Sequence, residues 1–332
     1  MHGLLSCLVT ALATSLVTAG TRVVVVGGTH GNEYTGVYLV ERLQAQHSLL
    51  RKEYPSLTID TLIANPRAYA NNQRFVEDDL NRKFTDDQLK SRQVDQQCYE
   101  SQRALEIEAD LGPKGPGASA EFVIDMHTTT ANMGCTIIVN SYCALALRAA
   151  AYVSECWAAD TEEGPGPAHP LRIYLHEVTQ SAAPYLCSVA RAGITIEVGP
   201  TPQGLLRADC VASTDRALRL LLEYLELHYS GGAPRPPPKL RVFVDQGKMP
   251  WPDAGGESSL PGALIVPTLQ DRDFEVLRAG DPMFENEDGT VVLYDGSCGE
   301  SVYPVFVNEA AYYYAQSGRG VGLTRVADWP VV

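Results

Sequence analysis

No Cys-x-x-Cys pair occurs in the 332 residues, although the chain holds eight cysteines, and this removes zinc ribbons and dithiol redox motifs from consideration. Basic residues are scarce: 26 Lys and Arg stand against 40 Asp and Glu, a formal net charge of −14. Phosphate backbones and anionic membranes demand clustered Lys and Arg, so nucleic acid and stable membrane association are both disfavoured as partners. A small anionic substrate is not excluded, since it needs only one or two local arginines. Internal repeats, blocks of like charge and low-complexity tracts are absent. The one long uncharged apolar run, Leu4 to Ala19, is short for a membrane span. It lacks a basic n-region, yet it runs into Val17-Thr18-Ala19-Gly20, a small-residue pattern compatible with signal-peptide cleavage. It reads either as an extension leading into the first strand or as the leader of a secreted protein. The scattered cysteines read as free buried thiols in a reducing compartment.

What is present is an ordinary globular composition, 45% apolar and 20% charged, in a chain long enough for one large domain and a smaller companion. Thr21 to Val26, Leu57 to Ile63, Glu121 to Met126, Thr136 to Asn140 and Gly193 to Val198 read as strands. Each is a short apolar run rich in β-branched residues. Val37, Leu39, Val40 and Leu43 mark a helix after the first strand, and Leu218, Leu221, Leu222 and Leu225 mark one over Ala208 to Tyr229. Arg103 to Leu111 reads as the end of a helix stopped by Gly112-Pro113. Strands alternating with helices indicate an α/β sheet, whose sites collect beyond the carboxyl ends of the strands. The run Gly231-Gly232-Ala233-Pro234-Arg235-Pro236-Pro237-Pro238 sustains neither helix nor central strand. Short β-prone runs follow it. The expected organisation is an N-terminal apolar extension (1–20), a catalytic α/β domain (21–230), a linker (231–239) and a β-rich C-terminal domain (240–332).

The chemistry begins at Gly27-Gly28-Thr29-His30-Gly31-Asn32-Glu33. A His and a Glu three residues apart at a strand-to-helix turn can aim an imidazole and a carboxylate at one point. A third ligand should sit at another strand end. Of the seven histidines, His2 lies in the extension, His47 and His228 fall late in predicted helices, His169 follows a Gly/Pro loop and His176 lies in a polar stretch. His127 alone terminates a strong strand, and Asp125, two residues earlier on the same side, could fix its tautomer. Two His and one Glu are a ligand set of catalytic zinc, and equally of the facial triad of iron oxygenases. Glu197 tilts the choice to hydrolysis. An acid inside the apolar strand Ile194 to Val198 is costly unless paired or working, and hydrolysis needs a carboxylate to move a proton from water to the leaving amine. Between Arg74 and Arg82 lies a polar loop. Arg74 could serve a developing oxyanion, and Asn81 with Arg82 could hold a carboxylate.

Together these motifs resemble the aspartoacylase family. The resemblance is carried by the His30–Glu33 segment, Asp79-Leu80-Asn81-Arg82, Asp125 to Gly134, Ile196-Glu197-Val198-Gly199-Pro200, Gln203 to Asp209 and Val302 to Tyr313. It runs in order from about residue 22 to residue 314. It implies a zinc-carboxypeptidase-like α/β fold, a mixed sheet flanked by helices, with a smaller, mainly β C-terminal domain that partly closes the site. The implied activity is hydrolysis of N-acyl amino acids to a carboxylate and an amino acid, with one zinc ion per subunit. His30, Glu33 and His127 would bind zinc and Glu197 would be general base and acid. Arg74 would polarise the acyl carbonyl, and Asn81, Arg82 and Tyr312 would bind the substrate. A cytoplasmic homo-oligomer is also implied.

Departures from the family pattern bear on the substrate. Aspartate-specific members use an arginine ten residues before the catalytic Glu, where this chain has Cys187, with Arg191 nearby. A tyrosine expected four residues earlier is Ala183, with Tyr185 close by. Thr128 replaces the Asn that usually follows the metal His. The type III aminoacylase branch, acting on N-acyl aromatic amino acids and mercapturates, also lacks the arginine, so the expectation leans that way. N-acetylaspartate hydrolysis and, further off, a carboxypeptidase remain the alternatives.

Overall fold

The computed structural model describes residues 20–91, 97–163, 166–252, 260–313 and 320–332. The choice between extension and leader for the N-terminal apolar run lies outside the described residues. Among the described residues thirteen strands are present: β1 (Thr21–Gly27), β2 (Leu57–Ile63), β3 (Phe122–Thr128), β4 (Gly134–Asn140), β5 (Leu171–His176), β6 (Ala192–Gly199), β7 (Lys239–Met249), β8 (Ala263–Ile265), β9 (Leu277–Arg278), β10 (Pro282–Asn286), β11 (Val291–Leu293), β12 (Ser301–Val305) and β13 (Val321–Pro330). The α-helices are α1 (Tyr34–Ala45), α2 (His47–Glu53), α3 (Pro66–Ala70), α4 (Asp86–Lys90), α5 (Tyr99–Leu111), α6 (Ala144–Glu163) and α7 (Ala208–Ser230). His47 thus begins the short α2 rather than ending α1.

Ten strands form one mixed sheet in the order β2-β1-β3-β6-β4-β5-β7-β13-β12-β9, and β11-β10-β8 form a second, three-stranded sheet. The first four strands of that order are parallel: β1 pairs with β2 and β3, and β3 with β6, all in one direction. Such strands are covered on both faces and carry unbroken apolar runs. Side-chain alternation divides the run Val23 to Val26 between two cores. Val23 and Val25 belong to the core shared with α1, α6 and α7, whereas Val24 and Val26 belong to the core shared with α5 and the Leu186 to Ala190 segment. α7 ends where Gly231 takes a left-handed φ of 84°, a conformation that suits glycine. No helix or strand occupies the chain from Gly231 to Pro238. Beyond it, β7, β13, β12 and β9 continue the large sheet, while β8, β10 and β11 close a third apolar cluster around Met283, Phe284 and Tyr294. Among the described residues, no helix is long and apolar enough to cross a membrane.

Candidate metal centre and active site

Because β1, β3 and β6 are parallel, their carboxyl ends open onto one edge of the sheet. β1 ends in Gly27-Gly28. A Cβ on Gly27 would lie 2.3 Å from the Gly36 backbone in α1, and Gly28 has a φ of 66°. Only glycine permits that close crossing and that turn, and together they set His30 and Glu33 beside the end of β3. His30 Nδ1 is 2.6 Å from Glu33 Oε1. His127 Nδ1 is 3.0 Å from Glu33 Oε2 and 3.1 Å from His30 Nδ1. One ligand atom from each of the three residues falls within 4.8 Å of the others, and all three side chains are buried.

The far nitrogens of both rings face carboxylates. His30 Nε2 is 3.1 Å from Asp79 Oδ1, and His127 Nε2 is 2.9 Å from Asp125 Oδ2. Thr29 donates its hydroxyl to Asp125 at 2.8 Å. A ring that donates from Nε2 presents a bare lone pair at Nδ1. Two such lone pairs 3.1 Å apart, next to a carboxylate, repel one another unless a cation lies among them. Two imidazoles and one carboxylate, each oriented from behind, fit a divalent metal ion. Asp125 stands where the sequence spacing puts it. Asp79, doing the same for His30, was not assigned that part from sequence, because its distance of 49 residues from His30 leaves no local pattern.

The electrostatics follow from crowding these groups out of water. Burial drives the Glu33 carboxyl upward, but His30 and His127 outweigh it and hold the group below the usual carboxylate range. Burial likewise opposes Asp79 ionisation, and His30 and Arg74 hold its carboxyl well below its ordinary value. His127 is pulled down by burial and raised well above its ordinary value by Asp125 and Glu33. Glu197 behaves differently. The β3–β6 register sets it opposite His127, and its carboxyl is pushed up to about 8. Burial is the main cause, His127 opposes it, and the charges of Glu33 and Glu309 add to it.

Arg74 spans two of the carboxylates, donating from Nη1 to Glu33 Oε1 at 3.2 Å and from Nη2 to Asp79 Oδ2 at 3.1 Å. Its buried Nε has no hydrogen-bond partner among the described residues. The loop that carries it is held by Glu100 of α5, whose fully buried carboxylate accepts from the backbone N–H of Val76, Glu77 and Asp78 and from Asn65 Nδ2. Asn81 Oδ1 accepts from Leu186 N at 2.9 Å, and Arg82 lies 5.6 Å from the Tyr185 ring centroid. Tyr312 reaches the same space from the C-terminal segment, where Lys248 Nζ sits 3.8 Å from its ring centroid.

All the sequence-assigned site residues, His30, Glu33, Arg74, Asn81, Arg82, His127, Glu197 and Tyr312, line one cavity of about 330 Å³. This is the low end for small-molecule sites. Cys187, 2% exposed, lines it too. Arg191 does not. It donates to Ala118 O at 3.3 Å and pairs with Glu121 at 3.4 Å, half exposed. The Thr128 position supplies a backbone N–H to Glu33 Oε2 at 3.0 Å, a contact independent of side-chain identity. Sequence reasoning missed Glu309, His176, Asp245 and Lys248, which also line the cavity. Glu309 accepts from the Thr129 hydroxyl and from the N–H and hydroxyl of Thr130, and takes Ala311 N on its other oxygen.

Residues 19–225 match the family described as the succinylglutamate desuccinylase/aspartoacylase catalytic domain, and residues 240–318 match the AstE/AspA barrel-sandwich hybrid domain. The chain is 38% identical over 298 residues to a protein named aspartoacylase from Danio rerio, covering 89% of each. It is 37% identical over 294 residues to the Homo sapiens protein named N-acyl-aromatic-L-amino acid amidohydrolase (carboxylate-forming), covering 88% of this chain and 87% of that one. The crystal structure of murine aminoacylase 3 superposes with a TM-score of 0.80 at 35% identity, over 94% of this chain and 98% of the other.

Proposed function

Since the chain belongs to the succinylglutamate desuccinylase/aspartoacylase family, we propose that it is a metal-dependent amidohydrolase of N-acyl amino acids, with a preference for aromatic side chains and mercapturates. One zinc ion per subunit, held by His30, Glu33 and His127, is the proposed cofactor. The observation that carries the reading is the pair of imidazole Nδ1 atoms 3.1 Å apart against one carboxylate, across a strand register from the buried Glu197.

When bound, zinc supplies Lewis acidity toward the acyl carbonyl and makes water nucleophilic at neutral pH. The side chains do the rest. Glu197 takes a proton from the attacking water on its carboxylate and passes it to the leaving nitrogen, so the amide C–N bond breaks with no net change at the residue. Arg74, fixed by Glu33 and Asp79, keeps Nε as a donor for the acyl oxygen as charge grows there. Asn81, Arg82 and Tyr312 hold the substrate carboxylate. Cys187 in place of arginine leaves a side-chain carboxylate without a guanidinium partner, and the tether of Arg191 to Glu121 keeps that group from substituting. Lys248, which lines the cavity with Arg82, favours the other reading, hydrolysis of N-acetylaspartate. A cytoplasmic homo-oligomer is proposed from the family resemblance.

The deciding experiment assays purified, zinc-loaded protein on N-acetyltyrosine, an N-acetyl-S-arylcysteine and N-acetylaspartate. The reading expects the first two to be cleaved with the higher kcat/KM. Faster cleavage of N-acetylaspartate would reverse the specificity, and activity on none would remove the hydrolase reading.

A further inference from the structure

Beside Arg82 the cavity has lining residues other than the proposed metal ligands and Glu197. Several of them are aromatic. The rings of His176 and Tyr185 are stacked, with centroids 5.1 Å apart and planes 27° from parallel, and Tyr174 stands 4.6 Å from His176. Alternation along β5 puts Tyr174 and His176 on one side, and Tyr185 comes from the turn before Leu186. β7 brings in Asp245, whose Oδ2 is 3.4 Å from His176 Nδ1 and whose Oδ1 accepts from Gly247 N at 3.1 Å. Burial opposes ionisation of Asp245, but His176 and the Gly247 N–H hold its carboxyl below its ordinary value. All four side chains line the cavity together with Cys187.

We propose that His176, Tyr185 and Asp245 are the specificity-determining residues of the side-chain subsite, selecting a flat aromatic group and rejecting a carboxylate. The inference rests on the hydrolase reading above. Arg82, with its guanidinium over Tyr185, links the two halves of the argument. A substrate whose carboxylate is held by Arg82 has its side chain next to the Tyr185–His176 stack. An aromatic ring there extends the stack. A second carboxylate meets the charge of Asp245, which also offsets the attraction of Lys248, and it faces the thiol of Cys187 instead of a guanidinium. Discrimination by a misplaced charge is a common route to specificity.

The test measures kcat/KM of the zinc-loaded full-length protein and its variants on N-acetyltyrosine, N-acetylalanine and N-acetylaspartate. Tyr185→Ala and His176→Ala are expected to lower the tyrosine-to-alanine ratio by about three- to tenfold each, through KM. His176→Phe, which restores a flat ring, should recover most of that ratio. Asp245→Asn is expected to raise the aspartate-to-alanine ratio by about three- to tenfold. A uniform loss on all three substrates would assign these residues a structural part and overturn the subsite, as would unchanged ratios. A wild-type protein that cleaves none of the three would overturn the hydrolase reading and the subsite together, a result distinct from the other two.

Discussion

Replacing Glu197 by Gln keeps the side-chain shape and removes the proposed proton acceptor, while the three proposed metal ligands stay as they are. Turnover is expected to fall by about 10²- to 10⁴-fold with metal content unchanged by elemental analysis, and a near-wild-type rate would take Glu197 out of the mechanism. Arg74→Lys tests the guanidinium geometry. A lysine carries the charge but puts all its donors on one nitrogen, without the planar fork that reaches Glu33 and Asp79 from separate nitrogens and leaves Nε over, so kcat should drop by about 10²- to 10³-fold; an effect confined to KM would move Arg74 from the acyl oxygen to simple binding. At this scale the sequence is informative where chemistry is packed into a few consecutive residues, as in His30-Gly31-Asn32-Glu33, or where an acid interrupts an apolar strand, as at Glu197. It is silent where a residue acts through partners far along the chain. Glu309 meets Thr129 across 180 residues, and nothing local to either marks the contact.

α5 illustrates how an element serves the site without touching it. Its Glu100 carboxylate gathers four N–H donors from the segment that follows Arg74 and from Asn65. Glu100→Gln puts an amide N–H₂ against some of those donors, and a loss of about 1–3 kcal/mol in unfolding free energy is expected. A chemical denaturation curve measures it. An unchanged midpoint would mean that the loop is held by something else. The elements themselves were legible to different degrees. β1, β3 and β6 are apolar and β-branched, so their strand character survives any context. α6 is hard to see in the sequence, since its alanine-rich stretch, with Ala146, Ala149, Ala150 and Ala151 all buried, shows no sharp polar face to set a helical period. β5 escaped as well. Its six residues begin and end among polar neighbours, so the sequence around His176 reads as a polar stretch, whereas the fold makes His176 a strand end on the cavity.

For the whole molecule, the large sheet joins both sequence-expected domains, so the C-terminal strands are as much a part of the scaffold as of the cavity. The linker composition was legible, but strand pairing across it was not. The pairing of β5 with β7 depends on partners that no local pattern specifies. The candidate metal centre couples to this scaffold as well. Glu33, Asp79 and Asp125 crowd three carboxylates around two imidazoles. Stripping the metal with a chelator should therefore lower the thermal midpoint, and zinc at about a hundred times its Kd should restore roughly 2.7 kcal/mol. Identical melting curves with and without chelator would argue against the triad as the binding site. The tie between Glu309 and the Thr129–Thr130 segment has a further consequence in the order of synthesis. His30, Glu33, His127 and Glu197 leave the ribosome well before Glu309 and Tyr312, and domains emerging first fold first. A nascent chain can therefore bring its candidate metal-binding side chains together before the part of the cavity that carries Glu309 and Tyr312 exists, and a complete cavity arrives only with that segment.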